Sequence, residues 1–273
     1  MGQSFVTNPR EPQPSLRAAA YPELLVVGAM KCGTTALHRL LDRHPDVAMA
    51  PGKELNFFFG PDEPPRGDPA EWWQHGQWHR GPSWYAAQFD PRARVRGESS
   101  PGYTDPSHPE VAARVRALVP DVRLVYLVRD PLERAVSQWR HHVRDGTETR
   151  GVDEALLDVA SQYVDRSRYL ERITPFLERF ARDQLLVVVQ ERLVAHQDRE
   201  MRRVLAHVGA DPGLWDPVGP SPGPAREPAI LPAGLRQSFG RLVGDDLAAF
   251  RELLGDDLEE WPTAHPRSTW RNH

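Results

Sequence analysis

The sequence predicts a single α/β domain with a central parallel sheet and one strand–turn–helix unit shaped to hold a phosphate. Three observations lead there. Apolar runs at Leu24–Val27, Val122–Val128 and Leu185–Val189 have the length and composition of strands buried on both faces. Helical patterns separate them, and strands alternating with helices imply parallel pairing through right-handed crossovers. The first run ends in a glycine turn, Gly28 to Gly33, that opens directly into a helix. At 273 residues, 40% hydrophobic and 26% charged, the chain is long enough for one sizeable core. Residues 1–22 carry Pro9, Pro12, Pro14 and Pro22 and read as a flexible N-terminal segment, with the domain over residues 23–273.

In chain order, Leu24–Val27 is the first strand. Leu37, Leu40 and Leu41 recur at i, i+3, i+4 in a helix that ends before Pro45. The turn between them departs from the phosphate loop G-x-x-x-x-G-K-[ST] in one place. Gly28, Gly33 and Thr35 fall on the template, Thr34 fills the lysine position, and the lysine lies inside the loop as Lys31. Phe57, Phe58 and Phe59 form a core plug or a lid. The Gly-, Pro- and Trp-rich stretch 60–83, with Trp72, Trp73 and Trp78, either covers core or stacks on a ligand. Arg92, Arg94 and Arg96 alternate with Ala93, Val95 and Gly97, a strand expected to carry one solvated charged face. His108–Val119 reads as a helix.

The run Val122–Val128 closes on Arg129, at the strand end where open parallel sheets bind ligands. Asp130 suits an N-cap, Pro131 the first helical position, and Glu133 would complete a capping box. Leu132, Ala135, Val136, Trp139 and Val143 make the apolar stripe of that helix. A helix over 166–181, the strand Leu185–Val189 and a helix through Met201–Val208 follow. Residues 211–232 are a long proline- and glycine-rich loop. A terminal helix, Leu247–Leu254, precedes a polar tail.

Net charge of −4 and a pI near 6.3 argue against nonspecific nucleic-acid binding. The N-terminal segment has no apolar run of signal-peptide or membrane-anchor length. The single cysteine, Cys32, excludes internal disulfides and fits a reducing compartment. Its place in the loop allows a nucleophile or a small residue whose backbone N–H matters; no partner motif supplies a base, which favours the second. The eleven histidines show no ligand spacing, His141 and His142 fall on an exposed helix side, and no metal is expected. Lysine is scarce. Of 34 Lys plus Arg only Lys31 and Lys53 are lysine, and arginine's planar fork does not replace a compact ammonium.

Taken together, these motifs resemble the sulfotransferases that use 3′-phosphoadenosine 5′-phosphosulfate (PAPS), in the heparan-sulfate-type branch with its bacterial relatives. The resemblance spans about residues 22–210. Lys31-Cys32-Gly33-Thr34-Thr35-Ala36-Leu37 is similar to that family's 5′-phosphosulfate loop, and Arg129-Asp130-Pro131 through Ser137 to its 3′-phosphate motif. Lys53-Glu54-Leu55-Asn56-Phe57-Phe58 resembles the segment carrying the catalytic glutamate; Trp84-Tyr85 and Gly97–Tyr103 also match in order. The resemblance implies sulfuryl transfer from PAPS to a hydroxyl, or as second choice an amine, of a carbohydrate, lipid or natural product. Lys31 and Glu54 would be catalytic. Lys31, Cys32, Gly33, Thr34, Thr35 and Ala36 would hold the 5′ end of PAPS, and Arg129, Ser137 and a loop residue, Arg226, the 3′-phosphate. His108 competes with Glu54 as base by analogy with the cytosolic branch. Where many relatives have a lysine after the buried-strand glutamate, this chain has Ser99. Golgi relatives carry an anchor, and its absence here implies a cytoplasmic enzyme. A phosphoryl-transfer enzyme, with Asp130 as magnesium-holding carboxylate, and an inactive nucleotide-binding module are the alternatives.

Overall fold

The computed structural model describes residues 20–218 and 231–265. Five parallel strands form one sheet: β1 Leu24–Gly28, β2 Val47–Met49, β3 Val95–Ser99, β4 Arg123–Val128 and β5 Leu185–Val189. The spatial order is β2-β3-β1-β4-β5. The glycine-loop strand β1 therefore lies in the middle, paired with β3 on one side and β4 on the other. β1 is buried along its whole length, and so is β4 after Arg123.

Helix α1 (Thr34–Asp42) packs on β1, β2 and β3. α2 (Gly81–Ala86) and α3 (Val111–Leu118) flank β3 in sequence. After β4 come α4 (Pro131–Arg144), α5 (Val152–Leu157), α6 (Gln162–Asp165) and α7 (Tyr169–Leu177). After β5 come α8 (Gln190–Ala195), α9 (Gln197–Val208), α10 (Leu235–Leu242) and α11 (Gly244–Leu254). The main core surrounds the sheet. A second cluster joins α4, α5, α6 and α10 through Leu132, Val136, Leu156, Tyr163 and Phe239.

Several expectations need correction. β2 carries no pattern of its own; three residues long, it exists because Val47–Met49 pair with Val95–Gly97. β3 is not a strand with a solvated charged face. It is an inner strand, Arg94 and Arg96 pair with Asp46 and Glu23, and Arg92 lies in the turn before it. The helix expected over 166–181 is shorter, α7 at Tyr169–Leu177 alone; residues 166–168 link it to α6, and Ser167 there is buried. The expected polar tail begins as core: Leu258 and Trp261 have no exposed surface. Asp130 caps α4 by accepting from the Leu132 and Glu133 amides at 3.0 and 3.1 Å. Glu133 does not return the bond. Glu191 accepts from Asp130 N at 3.0 Å and also takes the Trp261 indole N–H, so the box closes across 61 residues.

At the end of β3, Glu98 is wholly buried. Tyr103 and Tyr85 donate to its Oε1 at 2.6 and 2.9 Å, and Ser100 donates to Oε2 at 3.3 Å. Tyr103 Oη also accepts from Phe57 N at 3.1 Å, so the carboxyl organises the turn that carries the phenylalanines. Burial raises its pKa from the ordinary 4.5 to about 7, against the pull of these three donors. A carboxyl whose pKa rises on folding is bound to its proton more tightly when folded. Its favourable contribution is full below 4.5 and is lost as pH rises to about 7. Glu98→Gln keeps the shape and cannot ionise, so urea unfolding should show its stability gaining on wild type between those pH values. Parallel stability curves for the two proteins across that window would refute the assignment.

Candidate active site

The site lies where the carboxyl ends of β3, β1 and β4 meet. The loop after β1 turns through two left-handed residues, Lys31 at φ 67° and Gly33 at φ 93°. Gly33 suits its position because it has no Cβ. Lys31 adopts the same region with a side chain, a cost accepted where the loop must present backbone N–H groups inward. The first helical bond of α1 runs from Ala36 N to Gly33 O at 2.9 Å. The amides of Gly33, Thr34 and Thr35 precede it, and such orphan donors with the helix dipole form an anion site. Thr34 is buried, while Gly33, Thr35 and Ala36 are exposed along the rim.

Cys32 resolves to the second of its two readings. It is fully buried, with Sγ 3.6 Å from Tyr169 Oη, and burial pushes the thiol up to about 11. A thiol so protonated and enclosed is no nucleophile. Tyr169 Oη also donates to Arg129 O at 2.6 Å, which ties the glycine loop to the end of β4. Arg129 extends from that end, with Nη2 3.7 Å from Glu133 Oε2. Ser137 follows Glu133 by one turn on the same face of α4. The lysine loop and the arginine motif are thus brought together. Arg226 lies outside the described residues.

Glu54 stands on the β3 side. Its backbone, at φ 63°, donates to Ser99 O at 3.0 Å, and its carboxylate pairs with Lys53 Nζ. Asn56, Phe57 and the segment 75–78 secure the same turn: Asn56 N reaches Ser100 Oγ, and Gln77 N reaches Asn56 O. Phe57, Phe58 and Phe59 are buried and pack on Trp78, Tyr85 and Tyr103, a core plug rather than a lid. Trp78 belongs to that core under Arg114, and Trp72 meets His79 and Arg80. The side chain of Trp73 lies outside the described set.

Two residues here escaped the sequence reading or changed role. His38 Nδ1 is 3.1 Å from Ser99 Oγ, so an imidazole stands beside the position where the resemblance lacked a lysine. Burial, with Lys53 and Arg39 nearby, lowers its pKa against the pull of Asp42. The only sequence signal was its place one turn after Thr34 on α1. His108 stacks on Phe59 at 4.0 Å and lines a cavity of about 210 Å³ with Arg172 and Phe176. Neither Lys31 nor Glu54 lines that cavity. His142 is not on an open helix side either, since its Nδ1 meets Tyr163 Oη at 2.9 Å. Among the described residues no His, Cys, Asp and Glu cluster has the form of a metal site, and no helix is long and apolar enough to cross a membrane.

Comparison with known proteins agrees with this arrangement. A family model described as the sulfotransferase family matches residues 22–217. The mouse heparan sulfate glucosamine 3-O-sulfotransferase 3B1 is 29% identical over 199 residues, 69% of this chain and 46% of that protein. The bifunctional heparan sulfate N-deacetylase/N-sulfotransferase 1 of Caenorhabditis elegans is 30% identical over 189 residues, 63% of this chain and 20% of that protein. The chain thus spans less than half the length of these curated relatives. The crystal structure of a sulfotransferase from Alicyclobacillus acidocaldarius superposes with a TM-score of 0.72 at 28% identity, covering 89% of this chain and 99% of that one. With the family model covering the sheet, the loop and both motif helices, this chain belongs to the sulfotransferase family.

Proposed function

We propose that the chain transfers the sulfuryl group of PAPS to an acceptor hydroxyl, with an amine as the second choice. The observation that carries the reading is the hydrogen-bonded adjacency of β1 and β4, which sets the Lys31 loop beside Arg129 while Glu54 is tied to the end of β3. The acceptor oxygen attacks sulfur in line as the bond from sulfur to the bridging oxygen breaks. Negative charge grows on that oxygen, and Lys31 with the loop amides stabilises it. Glu54 takes the acceptor proton. Arg129 and Ser137 hold the 3′-phosphate, which separates PAPS from ATP. The names of the heparan sulfate relatives support a carbohydrate hydroxyl as the first acceptor to test, ahead of lipids and natural-product scaffolds.

The phosphoryl-transfer alternative needs a carboxylate open to magnesium after a strand. Asp130 is 1% exposed and already accepts from Leu132 N, Glu133 N, Thr263 N, Thr263 Oγ1 and Arg236. It is a structural cap. Turnover of labelled PAPS against carbohydrate, lipid and phenol acceptors tests the main reading directly, and absence of turnover with every class would favour a binding module.

Three substitutions divide the roles. Arg129→Ala should weaken PAPS binding roughly ten- to a hundredfold in calorimetry, the worth of a charge-assisted contact, while adenosine 5′-phosphosulfate changes little. Equal losses for both nucleotides would contradict the 3′-phosphate assignment. Lys31→Ala should lower kcat far more than it weakens the product 3′-phosphoadenosine 5′-phosphate, because the leaving-group charge peaks in the transition state. A near-normal rate for Lys31→Arg would show that any cation suffices there. Glu54→Gln should lower turnover by roughly 10²–10⁴ with PAPS affinity kept. If instead Glu54→Gln turns over normally and His108→Ala does not, the base is His108.

A further inference from the structure

Arg134 is a buried cation without a buried anion. It has no exposed surface, and its three nitrogens all donate to neutral acceptors. Nε reaches Ser167 Oγ at 2.8 Å, Nη1 reaches Gln138 Oε1 at 2.7 Å, and Nη2 reaches the Tyr163 carbonyl at 2.8 Å. The acceptors are themselves fixed: Gln138 donates its amide to Gln162 Oε1, and Ser167 donates to the Tyr163 carbonyl. Other half-buried arginines of the fold behave differently. Arg166 faces Asp105, Arg172 faces Glu171, Arg192 faces Asp256 and Arg236 faces Asp130. Among the described residues no carboxylate pairs with Arg134.

Enclosing a charge is costly unless an opposite charge meets it, and an apolar or amide side chain of similar size would avoid that cost. The location answers why the cation is kept. Arg134 lies on α4 between Arg129 and Ser137, and Ser167, which its Nε holds, stands between Arg166, whose Nη1 reaches Met30 Sδ in the glycine loop, and Tyr169, whose hydroxyl meets Cys32 Sγ and Arg129 O. On the Cys32 thiol Arg134 is the largest influence opposing burial. The guanidinium therefore sits behind the loop and the arginine motif together, on their protein side.

We infer that Arg134 is a positioning residue whose counter-ion is the phosphate of the nucleotide itself, so that an unbalanced buried charge in the free chain is balanced only when the anion binds. The inference rests on the nucleotide reading above. Water screens Arg129 and Lys31 at the rim, whereas a buried charge acts through protein and loses little to salt. Arg134 thus adds a standing attraction for anions without touching them.

Gln138→Glu is the discriminating variant, because it places a carboxylate against Nη1 in nearly the same side-chain shape, and Gln162 can turn its amide to donate to the second oxygen. The full chain is measured by calorimetry with adenosine 3′,5′-bisphosphate and with adenosine, and by thermal melting without ligand. Gln138→Glu should weaken the bisphosphate about tenfold, the order expected for cancelling one buried charge that acts on an anion through protein. Adenosine affinity should be unchanged, and the free protein should melt at or above the wild-type temperature. Arg134→Lys should bind the bisphosphate within about threefold of wild type, and Arg134→Met should match Gln138→Glu. Wild-type bisphosphate affinity in Gln138→Glu, an equal loss for adenosine, or a free chain melting well below wild type would each overturn the inference and leave Arg134 a structural brace. A wild-type chain that binds no bisphosphate would instead overturn the nucleotide reading on which it rests.

Discussion

The parallel pairing of β1 with β4 is the constraint on which the rest of the structure depends. Parallel strands put their carboxyl ends on the same edge of the sheet, and the pairing from Leu24 with Arg123 to Gly28 with Tyr126 brings two of those ends to neighbouring positions. Each end leads into a helix, α1 or α4, so two positive helix termini converge on one small volume. Two helix N-termini that meet in this way favour an anion between them. What this chain adds is the set of residues at the two ends: Lys31 and the glycine turn after one strand, Arg129 and the Asp130–Pro131 cap after the other.

Holding so much like charge together requires support from distant parts of the chain. The C-terminal segment after α11 supplies part of it. Trp261 donates to Glu191, Glu191 accepts from Asp130 N, and Thr263 bonds the Asp130 carboxylate through both its amide and its hydroxyl. Arg236 from α10 joins the same carboxylate and Glu133. The start of α4 is thereby clamped by residues 61 to 133 positions away. On the other flank Glu98 does comparable work with Tyr85, Tyr103 and Ser100, and the turn bearing Glu54 hangs from that cluster and from Ser99. Lys31 and Glu54, the reacting groups we propose, stand on backbone in left-handed conformations, and such strain persists only where neighbours over-determine it.

Much of this was legible from residues close together in the chain. The strand–glycine–helix unit at 24–42 and the strand–Arg129–Asp130–Pro131 unit at 123–144 are local signals, written in apolar runs, cap residues and the spacing of Gly28, Gly33 and Thr35. The alternation of strands and helices implied the parallel sheet, and the two motifs at their separation identified the family. The fold needed only propensities and periodicities that act over a few residues, and the family came from the resemblance of the two motifs. What the tertiary structure alone decided is who meets whom. β2 has no signal because three residues paired to β3 need none; Glu133 loses the capping bond to Glu191 because register brings β5 beside β4; His38 meets Ser99 because α1 packs across β3; and Leu258, Trp261 and Thr263 are buried because Trp261 fits against Tyr169 and Glu191. Arg134 shows the limit most clearly. In the sequence it is one arginine among many on the polar side of a helix, and only packing shows that its side chain is closed off from water and, among the described residues, from any carboxylate partner, since burial and charge balance are properties of the assembled core and not of any stretch of chain.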